Sequence, residues 1–80
     1  MKSREAIVIR LVTLCYQRGV NASELAYGAG VHPSTVKSII NGDSKNPGIV
    51  TIKKLCDALD VSIAEFFVDG VFQTLEQEIE

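Results

Sequence analysis

The feature that most constrains this chain is the helix punctuation between residues 21 and 42. Asn21 is a good helix N-cap, and Glu24, three residues on, can reach back to the free Asn21 amide in a variant of the capping box. Gly28 and Gly30 bracket the end of that helix, and Gly30 supplies the positive φ that a sharp turn needs. A second start follows at once. His32 stands at the N-cap and Pro33 at the first helical position, where its missing amide costs nothing; Gly42 is the stop. Leu25, Ala26 and Ala29 face inward on the first of these helices. Val36, Ile39 and Ile40 do so on the second, which leaves Ser34, Thr35, Lys37, Ser38 and Asn41 outside.

The flanking sequence extends the pattern without any strand signal. A first helix is expected from about Ser3 to Arg18, with Ile7, Leu11, Leu14 and Cys15 at three- and four-residue spacing and Gly19 as its left-handed cap. Arg10, Thr13 and Gln17 mark its polar side. Val8, Ile9 and Val12 widen its apolar arc, which fits either a broadly buried helix or a subunit contact. After a polar loop from Asp43 to Gly48, a fourth helix runs from about Ile49 to Leu59, burying Ile52, Leu55, Cys56 and Leu59. Ser62 and Glu65 form a capping box for a short fifth helix that carries Phe66 and Phe67. The fold class is therefore all-α, with five helices. Eighty residues can bury one modest core. One helix-turn-helix-sized domain over 1–68 is expected, followed by an acidic C-terminal segment over 69–80 that is either a short tail or an extra helix around Phe72, Leu75 and Ile79 and is a candidate for dimer formation.

Residues 1–56 hold all eight Lys and Arg against Glu5, Glu24 and Asp43, a net +5, whereas residues 57–80 hold seven acids and no base, a net −7. A basic body with an acidic end is compatible with nucleic-acid binding through one face. Cys15 and Cys56 lie too far apart for a Cys-x-x-Cys metal or redox motif, and each sits in an apolar helical pattern, so both read as reduced core thiols. The apolar run from Ala6 to Leu14 is broken by Arg10 and Thr13 and is too short for a membrane span. A cytoplasmic location with no membrane association is expected. No paired carboxylates, activated nucleophile or phosphate-cradling glycine loop is evident. No catalytic residue, metal, cofactor or small-molecule ligand is therefore expected, and the one histidine, His32, reads as a cap or a phosphate-facing group.

The segment from Asn21 to Gly42 resembles the helix-turn-helix of the lambda-repressor-like family, the Cro/cI or xenobiotic-response-element type. The resemblance is carried by Glu24-Leu25-Ala26, Gly30-Val31, Ser34-Thr35-Val36 and Asn41-Gly42. Pro47, the stretch from Leu55 to Leu59, Val61-Ser62 and Glu65-Phe66-Phe67 match the family's later helices, so the likeness spans roughly residues 5–68. It implies a sequence-specific, double-stranded-DNA-binding transcriptional regulator, with the helix at about 33–41 in the major groove. Base contacts then fall on Pro33, Ser34, Lys37 and Ser38, with Lys37 foremost because an ammonium can donate to guanine O6 and N7. Backbone contacts fall on His32, Thr35, Asn41, Lys45 and Asn46, with the amide end of the fourth helix as a further phosphate site. Tyr27 either touches sugar-phosphate or covers the core edge. Lys53 and Lys54, on the exposed side of the fourth helix, reach DNA or serve solubility.

The sequence departs from many relatives in having Ala22 where a phosphate-holding glutamine starts the second helix, and His32-Pro33 where glutamine or serine pairs start the third. An arginine–glutamate pair buried in several relatives falls on Cys15 and Ile40. Both partners are apolar here, so no charge is stranded. A homodimer is implied because a monomer reads few base pairs; Phe67, Val71, Phe72 and Leu75 are its interface candidates. The alternative is a protein-interaction module, such as an antitoxin or regulatory subunit, that keeps the fold without specific DNA readout.

Overall fold

The computed structural model describes residues 1–44 and 46–79. These form five α-helices: α1 (Ser3–Arg18), α2 (Ala22–Ala29), α3 (Pro33–Ile40), α4 (Ile49–Ala58) and α5 (Ile63–Phe67), followed by a 3₁₀ turn at Gly70–Phe72. No strand occurs among the described residues. The boundaries follow the local chemistry. Asn21 Oδ1 accepts from the Glu24 N–H at 2.8 Å, and Glu24 Oε1 accepts from the Asn21 N–H at 3.0 Å. Ser62 and Glu65 repeat this reciprocal arrangement at the start of α5. Gly19, Gly30 and Gly42 all adopt positive φ, which ends α1 and α2 and turns the chain away after α3. At the end of α4 the left-handed position falls to Asp60, with φ 57°, a conformation that a short polar side chain tolerates.

The core lies between all five helices. Leu11 and Leu14 of α1, Leu25 and Ala26 of α2, Val36 and Ile39 of α3, and Ile52 and Leu55 of α4 meet Phe66 of α5. Burying such side chains supplies the main favourable term, about 1.5–3 kcal/mol for each large one. Cys15 and Cys56 are buried free thiols. Burial raises both above their ordinary value, and Asp57 pushes Cys56 further in the same direction. Ile40 is half-buried and packs on the core cluster, which also contains Cys15.

Two arginines of α1 do structural work that the helical pattern does not reveal. Arg10 donates from Nε to the Phe66 carbonyl and from Nη2 to the Glu65 carbonyl, both at 2.9 Å, and its Nη1 lies 3.4 Å from Asp69. Arg18 donates to the Leu59 carbonyl at 3.0 Å. The last carbonyls of a helix have no partner within it, and these guanidinium groups supply one for α5 and for the cap of α4.

The tail forms no extra α-helix and stays a short, largely irregular segment. Asp69 caps the 3₁₀ turn by accepting from the Val71 N–H at 2.9 Å. Phe72 then packs on Phe66 and Phe67 at centroid distances of 6.1 and 5.0 Å. Beyond it, the chain is irregular rather than helical and runs back along the start of α1, where the Glu76 N–H donates to the Met1 carbonyl. A helix bearing Phe72, Leu75 and Ile79 would need a free apolar groove. Phe72 instead closes the core edge, and Ile79 is left exposed.

Candidate nucleic-acid interface

The helix pair α2–α3 is held rigidly on its inner side. Across the turn, the Gly30 N–H donates to the Tyr27 carbonyl and the Val31 N–H to the Ala26 carbonyl, a double closure that fixes the angle at which α3 leaves α2. Val36 and Ile39 anchor α3 in the core. Its outer face carries Pro33, Ser34 and Lys37 exposed, with Thr35 and Ser38 half-buried at the margins. A helix of eight residues is about 12 Å long, close to the width of the major groove.

His32 caps α3 through its ring. Nδ1 accepts from the Ser34 N–H at 3.1 Å and lies 2.8 Å from Ser34 Oγ. With Nδ1 accepting the amide, a neutral ring carries its proton on Nε2. The Ser34 hydroxyl is thereby drawn toward the cap, which restricts how it can meet a base. Lys37 makes no ion pair among the described residues, so its ammonium is available to a partner outside the chain.

The expected backbone-contact residues separate into three groups. His32 and Asn41 stand exposed at the two ends of α3, with Thr35 half-sunk between them. Asn46 is exposed in the loop beyond, and Lys45 lies outside the described residues. At the start of α4, Gly48 brings no side-chain cap, and the first turn presents Ile49 and Val50 at 61% and 66% exposure. Lys53 and Lys54 are exposed, but Lys53 pairs with Asp57 one turn along its own helix. Tyr27 is 90% exposed, so it does not cover the core edge. With Arg10 also largely buried and paired with Asp69, the positive charge open to phosphate is smaller than the net +5 of residues 1–56 suggests.

The dimer candidates are partly used within the protomer. Phe67 and Phe72 pack on Phe66, and Val71 and Leu75 are half-buried. The strongly exposed apolar residue beside them is Val68, at 75%. A second exposed set lies on α1, where Ile9, Val12 and Tyr16 form a stripe.

A family model described as the Cro/C1-type HTH DNA-binding domain matches residues 10–69. The crystal structure of the prophage Lp1 protein 11 superposes with a TM-score of 0.80 at 33% identity, covering 94% of this chain and 100% of that one. No curated protein matches. Among the described residues, no helix is long and apolar enough to cross a membrane. The family match begins inside α1 and ends at Asp69, so it contains the whole of α2, α3, α4 and α5. The chain belongs to the Cro/C1-type helix-turn-helix family of DNA-binding domains.

Proposed function

We propose that the protein is a cytoplasmic transcriptional regulator that binds specific duplex sites as a homodimer, with α3 in the major groove. The observation that carries this reading is the outer face of α3. It presents short polar groups and one unpaired ammonium from a helix whose inner face is locked by Val36 and Ile39. Lys37 is the base reader, donating to guanine O6 and N7. Pro33 and Ser34 lie over neighbouring bases, and Ser38, half-buried, serves the groove edge. His32 Nε2, Thr35, Asn41 and Asn46 orient the domain on phosphates, a role that fixes register rather than sequence. Lys45 takes the same role by its position in the loop. The dimer forms through the α5 end, with Val68 joining Phe67, Val71, Phe72 and Leu75, and places two α3 helices one turn of DNA apart, about 34 Å.

Selection of duplex DNA from a random pool tests this directly. The wild type should enrich a two-fold symmetric site that Lys37→Glu fails to enrich, and sedimentation should show a dimer on that site. A second reading, a module that docks on protein, is favoured by the exposed Ile49 and Val50 at the point where α4 would meet a phosphate. Absence of enrichment, with only weak binding that vanishes as salt rises, would favour that second reading.

A further inference from the structure

The first turn of α3 is closed by its own cap. Pro33, at the first helical position, has no N–H to offer. The Thr35 N–H donates to the His32 carbonyl at 2.9 Å, and the Ser34 N–H donates to His32 Nδ1 at 3.1 Å. The Ser34 hydroxyl meets the same ring nitrogen, with Oγ 2.8 Å from Nδ1. The direction of this last bond is fixed by the amide beside it. A backbone N–H can only donate, so Nδ1 faces it with a lone pair and carries no proton. The proton between Nδ1 and Oγ is therefore the hydroxyl's own. A hydroxyl has one proton and two lone pairs. With its proton committed to the cap, Ser34 Oγ turns only lone pairs toward whatever approaches this exposed end of α3.

The commitment changes what Ser34 can read. A free serine hydroxyl rotates to donate or to accept, and so tells bases apart poorly. In the major groove, adenine N6 and cytosine N4 are amino donors, whereas guanine O6 and thymine O4 are keto acceptors. Every base pair carries one of each, on opposite strands. An Oγ that only accepts gains a hydrogen bond where the strand it faces offers the amino base. Where that strand offers the keto base, oxygen meets oxygen and neither is satisfied. Lys37, one helical turn on and without an ion pair among the described residues, has the opposite polarity, because an ammonium only donates.

We propose that His32 is a positioning residue that determines specificity: by holding the Ser34 hydroxyl proton on Nδ1, it makes Ser34 an acceptor that selects an amino base, adenine or cytosine, at one position of each half-site. The inference rests on the DNA-binding reading above and deepens it. Ser34 makes the contact, His32 sets its polarity, and the same ring still presents Nε2–H to a phosphate.

The test is selection from a random duplex pool by full-length wild type, Ser34→Ala, His32→Ala and His32→Asn, each checked for folding by thermal unfolding. Ser34→Ala keeps the amide cap and locates the contact, since it should relax the base preference at one position. There the wild type should favour adenine or cytosine over guanine and thymine by roughly three- to tenfold, the effect of one hydrogen bond made or lost. The enriched base tells which amino donor is read. His32→Ala frees the hydroxyl to rotate and should lose that preference. His32→Asn, whose Oδ1 stands where Nδ1 does, should keep it while binding all sites more weakly for want of Nε2. Should His32→Ala not fold, the base at the position relaxed by Ser34→Ala decides alone. Guanine or thymine there, no position relaxed by Ser34→Ala, or a preference that survives in His32→Ala or disappears in His32→Asn would overturn the inference while leaving DNA binding intact. No enrichment by the wild type would remove the DNA-binding reading and this inference together.

Discussion

His32 and Arg10 show how differently single residues declare themselves. The His32-Pro33 pair signals a helix start in the sequence, and the structure places its Nδ1 on the Ser34 amide. The extra involvement of the Ser34 hydroxyl was not legible, because it depends on a rotamer rather than on spacing. Arg10 reads as a surface residue from its place opposite Leu11 and Leu14. Its side chain is nevertheless only 14% exposed, and the carbonyls it serves are groups that every residue carries, so no sequence motif announces them. Arg10→Ala should destabilise the fold by about 2 kcal/mol in urea unfolding followed by circular dichroism, since it removes the partner of the Phe66 carbonyl and opens a gap, while the Glu65 carbonyl keeps the Val68 N–H. Asp69→Asn should cost less than about 1 kcal/mol, because the Asp69 carboxylate is 43% exposed and 3.4 Å away.

Helices were the most legible level. The caps of α2 and α5 lie where Asn21, Glu24, Ser62 and Glu65 predict them, because reciprocal capping is settled within four residues. Outside the helices, legibility falls. Whether residues 73–79 coil depends on whether a groove remains to receive them, and Phe72 has already filled the edge of the core. Gly28 is a more useful case. It resembles a turn signal, yet it sits inside α2, and a Cβ there would meet only the Ala58 Cβ at 3.7 Å, an ordinary contact. Gly28→Ala should therefore raise stability by about 0.5–1 kcal/mol in thermal or urea unfolding, by lowering the freedom of the unfolded chain. Gly30→Ala, at φ +69°, should do the opposite.

At the scale of the whole molecule, the charge asymmetry visible in the sequence becomes a spatial arrangement: the acidic end folds back over the basic start, where the Glu78 carboxylate accepts from the Ser3 N–H and hydroxyl, both at 3.0 Å. Because the folded Glu78 carboxyl lies below its ordinary 4.5, its contribution to docking is complete above that value and fades as pH falls through the depressed one. Nuclear magnetic resonance of the Ser3 and Gln77 amides across pH 7 to 3 should show the tail releasing at the acid end, before α2 and α3 lose their dispersion. The candidate reading face was legible as a set of residue types, whereas the use of Arg10 and Arg18 as donors to main-chain carbonyls was not. Those two residues also carry an evolutionary consequence. They strap α1 to the ends of α5 and α4 through main-chain oxygens of Glu65, Phe66 and Leu59. The straps themselves do not depend on which side chain stands at an acceptor position, although core packing holds Leu59 and Phe66 apolar. Substitutions at 18 should therefore be selected against alone, leaving no correlated partner to betray the contact, whereas position 10 keeps Asp69 and the Phe66 ring as side-chain partners.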